Sequence, residues 1–194
     1  MSIALRIPIG LTGPEVIVTD PCYYNGSEHM HSTVGPIRQG GSWVMESHRE
    51  EMGGWGTRTV ELSVVHSTWL PTHKRFLAAD AGVDSGQMSI CDSHVARAFE
   101  NPDDYGPDGF QPKDHEGHFD YQGACDITLN HAERGGVLCD VMAVSETGCG
   151  DGVYPVYVWR DEVGAATKIS VEFRDAEDED DEDDVIEEEG DNDD

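Results

Sequence analysis

The clearest pattern in the chain is a strict alternation near its end: Ile169, Val171 and Phe173 fall on one face, and Lys168, Ser170 and Glu172 on the other. Period two marks a strand with one face in a core. The run before it, Val153 to Arg160, is rich in β-branched and aromatic residues. Asp161-Glu162-Val163-Gly164 separates the two runs with turn-forming residues, so a β-hairpin is predicted. Arg58 to His66 alternates in the same way, with Val60, Leu62 and Val64 on the face assigned to the core. Short strands are predicted over Ile3 to Ile9, Glu15 to Thr19, Ser42 to Glu46 and Gln87 to Cys91, with a weaker one over Cys125 to Leu129. Gly136 to Ser145 is almost continuously apolar apart from Asp140 and reads as one central strand beside the hairpin. Helical spacing is confined to Val95, Ala98 and Phe99 after Asp92, and to a single turn over Lys74 to Ala79. These elements make a β-rich α+β domain: a mostly antiparallel sheet or sandwich that ends in a hairpin and carries one or two short helices. Val60, Leu62, Val64, Val141, Ile169, Val171 and Phe173 are expected to share its core.

Four aspartates stand where strands start or stop. Asp20 precedes Pro21, which cannot continue a ladder, so its side chain is expected to be free at a strand end. Asp92 repeats that setting before Ser93 and is also placed to cap the short helix. Asp84, in Asp84-Ser85-Gly86, and Asp151, between Gly150 and Gly152, sit in glycine-bearing turns whose backbone has access to positive φ. Turn initiation and capping are the plain uses of such residues. The functional use would be convergence of Asp20, Asp84, Asp92 and Asp151 on a divalent cation or polar ligand, with Tyr23, Ser85 and Tyr154 lining the pocket. Weaker metal candidates are His29 and His31, spaced i and i+2 beside Glu28, and His115 and His118 among Asp114, Glu116 and Asp120. On an extended chain His29 and His31 would face the same way, as a zinc site requires, but no matching third ligand is evident, and the spacing of the second group matches no zinc signature.

The motifs Val83-Asp84-Ser85-Gly86-Gln87 and Gly150-Asp151-Gly152-Val153-Tyr154-Pro155-Val156, followed by Ile169-Ser170-Val171-Glu172-Phe173, resemble the bacterial and phage domain of unknown function 4241. The resemblance covers mainly the second half of the chain; the first half shares Thr19-Asp20-Pro21. Cys149 departs from it, standing where a bulkier residue is expected, and residues 101–123 read as an insertion. The resemblance implies a bacterial or phage accessory protein and no particular activity.

Charge is unevenly spread. The 194-residue chain has a formal charge of −28, and residues 175–194 hold fifteen acidic side chains and no basic one. A single globular domain over residues 1–174 followed by a disordered acidic tail over 175–194 is therefore expected, because a self-repelling run with Val185 and Ile186 as its large apolar residues cannot offset its ordering entropy. Solvation is the ordinary role of such a tail, and a basic protein partner is the specific one. Direct nucleic-acid binding is not expected from a chain of this charge, and no segment is long and apolar enough to suggest a membrane span. The N-terminus lacks the pattern of a signal peptide, and five cysteines without a Cys-x-x-Cys pair suggest a reducing cytoplasm, the host's if the protein is phage-encoded. Each cysteine lies within two residues of an aspartate, which disfavours a thiolate nucleophile. Three functions remain: a binding or regulatory module, favoured because no catalytic or nucleotide-binding motif is present; a metal-dependent hydrolase built on the aspartates; and an acidic mimic of nucleic acid that occupies a basic groove.

Overall fold

The computed structural model describes residues 3–24, 31–96, 98–99 and 118–173. The strands are β1 (Ile3–Ile9), β2 (Val16–Thr19), β3 (Ser32–Val34), β4 (Trp43–Glu51), β5 (Thr57–His66), β6 (Lys74–Val83), β7 (Gln87–Asp92), β8 (Gly135–Leu138), β9 (Met142–Glu146), β10 (Gly152–Arg160) and β11 (Ala166–Glu172). Two α-helices, α1 (Ser93–Ala96) and α2 (Tyr121–Asn130), lie between β7 and β8. The strands form two antiparallel sheets, one ordered β1-β4-β5-β11-β10-β6 and the other β3-β2-β7-β9-β8. Their inner faces close on one core that includes Val16, Val18, Met45, Leu62, Val64, Met88, Ile90, Val156, Ile169, Val171 and Phe173. The outer face of the smaller sheet is covered by a second cluster, in which Cys91, Met142 and Leu138 meet Val95, Phe99 and Phe119.

The two halves of the chain trace the same path. Strands β1 to β5 run from an edge of the large sheet, through the centre of the small one, and back to the centre of the large one; β6, β7, β9, β10 and β11 repeat this course. The halves meet at two antiparallel seams, β2 against β7 and β5 against β11, so an approximate two-fold axis passes near the Val18–Ile90 and Leu62–Val171 pairs. The symmetry holds at residue level: Ser47 pairs with Leu62 as Val156 pairs with Val171. Helices α1 and α2 and strand β8 are additions to the second half.

The terminal hairpin forms as its alternation predicts, with Asp161 Oδ1 accepting from the Val163 and Ala165 backbone amides and Gly164 at φ +84°. Several expectations are corrected. Cys125 to Leu129 belongs to α2: the Asp120 carboxylate caps it by accepting from Gly123 N, and Ala124 and Thr128 face inward at helical spacing. Gly136 to Ser145 is two strands, because Cys139 and Asp140 take positive φ and fold the apolar run back on itself. It lies in the small sheet, apart from the terminal hairpin, and Val141 packs in the second cluster instead of the main core. Lys74 to Ala79 is strand, not helix, held by pairing with β10. On β5 both faces are buried; Glu61 on the outer face bonds Lys168 Nζ at 2.7 Å and accepts from Ser170 Oγ at 2.7 Å. Burial alone would raise the Glu61 carboxyl, yet Lys168 and Ser170 hold it below its ordinary value. Residues 174–194 lie outside the described residues, as do 101–117 of the expected insertion.

The glycines before β10 have distinct roles. Gly150 has φ +88°, whereas Gly148 is required by contact, since a Cβ there would stand 2.1 Å from the Thr59 carbonyl oxygen. Nothing lies closer than 3.5 Å to a Cβ at Gly152. Gly148→Ala is therefore expected to destabilise the fold by about 1–3 kcal/mol, the usual range for overpacking, and Gly152→Ala by less; urea titration of the two variants measures the difference.

Candidate binding site

Asp20 is fully buried. Its Oδ2 accepts from the backbone amides of Asp84 (2.8 Å) and Ser85 (2.7 Å), and its Oδ1 accepts from Cys22 N (2.9 Å) and the Ser85 hydroxyl (2.6 Å). The expected free side chain is instead a clamp that fixes the turn between β6 and β7 to the end of β2. The proline step does place Asp20 at a strand end, but the fold brings the second half's turn onto it.

Asp92 does the same for the first half. Its Oδ2 accepts from the backbone amides of Thr12 (2.6 Å) and Gly13 (3.0 Å), which precede β2. Asp20 and Asp92 are 72 residues apart, and so are their amide donors, Thr12 with Asp84 and Gly13 with Ser85. The clamps are thus symmetry mates that reach across the seam in opposite directions. They differ at one oxygen. Gly13 stands where the other clamp has Ser85 and supplies no hydroxyl, and no counterpart of the Cys22 amide reaches Asp92 Oδ1, which is buried without a hydrogen-bond partner among the described residues. His94 Nε2 lies 4.0 Å from Oδ2. Burial raises the Asp92 carboxyl above its ordinary value, with the two backbone donors opposing.

The four aspartates therefore do not share one site. Val16 pairs with Asp92 and Thr19 with Ser89, which puts Asp20 and Asp92 at opposite ends of the β2–β7 seam. Asp84 lies beside Asp20, and its Oδ2 accepts from the exposed Tyr23 hydroxyl at 2.7 Å, a bond that raises the phenol's pKa. Asp151 is exposed, one residue beyond the Gly152–Val83 pair at that same end. Ser85 is consumed by the clamp, and Tyr154 points into the core, its ring edge-on to Phe173 and its hydroxyl on Gly150 O at 2.9 Å. His118 lies 4.0 Å from Asp120 and is largely exposed; His31 is half-buried ahead of β3; His29 and His115 are outside the described residues. Among the described residues, no group of three or more His, Cys, Asp or Glu is placed to hold a metal ion. Three of the thiols are poor nucleophiles: burial, then Asp20, pushes Cys22 up to about 12, burial, then Asp140, pushes Cys139 up to about 11, and burial raises Cys91. Burial outranks the neighbouring aspartates in all three.

The open surface is elsewhere, along β6. This strand ends the large sheet, and residues 74–78 are exposed. Phe76 (47 % exposed) and Leu77 (61 %) project from it on opposite faces. On one side of Phe76 a cavity of about 360 Å³ separates β6 from β3 and is lined by Thr33, Gly35, Leu77 and Arg160. On the other side a cleft of about 730 Å³ runs to the β10–β11 turn, where Arg38, Lys74 and Arg160 line it together with Asp161, Glu162 and Val163. Arg160 borders both and donates to the Gly164 (2.8 Å) and Gly35 (2.9 Å) carbonyls, which hold its guanidinium in place without neutralising it. Arg38 is paired with Asp161 at 3.2 Å, whereas Lys74 and Arg160 form no ion pair with the described residues. Nearby, Arg75 lies 3.6 Å from the Tyr157 ring centroid and bonds Glu172 at 2.6 Å. No sequence motif pointed to this groove; its signal was the run Lys74-Arg75-Phe76-Leu77, in which cations adjoin apolar residues on a strand.

Residues 79–171 match the family model described as Protein of unknown function (DUF4241). The match runs from within β6 to within β11, so it covers most of the second structural repeat together with its inserted helices. Comparisons with curated proteins and with solved structures found no match.

The unequal clamps make opposite predictions for one substitution. In Asp20→Asn either amide orientation sets an NH₂ against hydrogen-bond donors, at a cost of about 3 kcal/mol. In Asp92→Asn the carbonyl can keep Thr12 N and Gly13 N while the NH₂ takes the orphan position, so the cost at pH 7 is under about 1 kcal/mol. Because the folded Asp92 pKa is raised, its contribution is most favourable in acid and is lost as pH rises from 3.8 through the folded value. Wild type should therefore lose stability relative to Asp92→Asn over that rise, as read from urea midpoints at successive pH values.

Proposed function

We propose that this protein is a binding module that captures an extended, anionic polypeptide segment along β6. The carrying observation is the edge of that strand, which no strand among the described residues pairs, where Lys74 and Arg160, in no ion pair with those residues, flank the exposed Phe76 and Leu77. An incoming strand would take backbone hydrogen bonds from the edge and find an apolar contact on each face, the general mode of β-strand addition. Charge sets the preference. In a chain of −28 the cleft keeps a local cationic excess, with Arg38, Lys74 and Arg160 against Asp161 and Glu162, so an acidic segment gains an attraction there that a basic one does not.

The arrangement supports binding over hydrolysis. Asp20 is saturated by donors, Asp92 lies at the far end of the seam, and the Cys22, Cys91 and Cys139 thiols are held protonated. The acidic segment 175–194 leaves room for a separate contact with a basic protein, to which the groove makes no contribution.

The test is fluorescence anisotropy of the full chain with labelled alternating peptides, one of Glu and Val and one of Lys and Val. The Glu-Val peptide should bind saturably, and Arg160→Glu or Phe76→Ser should weaken it at least tenfold. Salt should weaken it as well, because the cations are exposed and screened. Equal binding of both peptides, or none by the Glu-Val peptide up to millimolar concentration, would overturn the proposal.

A further inference from the structure

We infer that the acidic C-terminal segment of this same chain occupies the β6 groove and competes with an external ligand. The inference rests on the binding function proposed above. An edge strand with exposed apolar residues is a surface that folded proteins normally cover, because its unpaired backbone groups recruit other strands. Among the described residues, the outer edge of β6 is met only near its far end, where Ser32 Oγ donates to the Asp80 carbonyl at 2.6 Å.

The segment's sequence complements the groove. Within 175–194 the large apolar residues are Val185 and Ile186, adjacent and flanked by Asp183, Asp184 and Glu187 to Glu189. Adjacent residues of a strand point to opposite faces, as Phe76 and Leu77 do, so one apolar pair laid against the other places an apolar contact on each face of the sheet. The flanking carboxylates then run past Lys74 and Arg160, and Val185 and Ile186 are both β-branched residues suited to a strand.

The segment also reaches. Phe173, whose backbone N–H bonds Val60 O, ends the described chain two strands away from β6. Through the Val171–Val156 and Val156–Ala79 pairs, Phe76 lies about 20 Å from Phe173 at ordinary strand spacing and rise. The twelve residues from there to Val185 span up to about 40 Å. Tethering gives the segment a high effective concentration at the groove, so modest intrinsic affinity suffices to hold it there. A second copy of the chain is a poorer occupant, because joining two molecules of charge −28 sets like fields against each other.

The test compares the full chain with its Val185→Ser/Ile186→Ser variant, whose changes leave the described fold and every charge in place. Two readouts are taken at low salt: amide hydrogen exchange of residues 74–79, and affinity for the Glu-Val peptide. Residues 74–79 should exchange at least tenfold faster in the variant, and the peptide should bind it at least tenfold more tightly. Unchanged exchange overturns this inference, whatever the peptide does. If exchange rises but neither chain binds the peptide, the segment's docking stands and the proposed external ligand is wrong.

Discussion

Two carboxylates hold this fold together where its halves meet. Each sits at the end of a central strand and receives the backbone amides of the turn that launches the other central strand. A turn's amides have no strand partner of their own, and burying them unsatisfied would cost more than most single contacts contribute. An aspartate at a strand end solves this with one side chain and fixes the seam's register, because a slip by one residue would carry the carboxylate away from its donors. The sandwich's layers, its shared core and the position of both edge strands follow from that seam.

The halves carry different loads. The second carries α1, α2 and β8, which cover the outer face of the small sheet with Phe99 and Phe119. Its clamp onto the first half lacks counterparts of the Ser85 hydroxyl and the Cys22 amide, so one oxygen of Asp92 has no hydrogen-bond partner among the described residues. The edges differ as well: β6 extends into exposed sequence beside the open cleft, while β1 packs Leu5 and Ile9 against the main core. Matching positions thus act as internal references for one another. What Asp20 does with two oxygens shows what Asp92 does without.

Much of the fold was legible from local pattern. Alternation at Ile169, Val171 and Phe173 and at Val60, Leu62 and Val64 located the two strands of the large sheet's seam, and the hairpin between β10 and β11 followed from its turn chemistry. Errors arose where local pattern is ambiguous. An apolar run reads as one strand until positive φ at Cys139 and Asp140 breaks it, and a ten-residue helix capped by Asp120 shows little amphipathic contrast. The aspartates were found individually, and the likeness between Asp20 and Asp92 was visible as a repeated setting. Their partners were not, because every donor except the Cys22 amide lies sixty or more residues away in the chain. The groove escaped notice because its residues come from β3, β6 and the β10–β11 turn, which only the tertiary fold brings together.

The doubled architecture governs how the chain must fold. Val18 finds Ile90, and Leu62 finds Val171, across intervals far longer than any hairpin. During synthesis the first five strands emerge with both of their seam edges bare, and neither clamp can close until the second half supplies its turn and its aspartate. Loop-closure entropy is thus spent before the contacts that reward it are made, which is the signature of slow folding with high contact order. A chain assembled from two like halves behaves kinetically as a tethered dimer, in which the second half arrives as the first half's partner subunit.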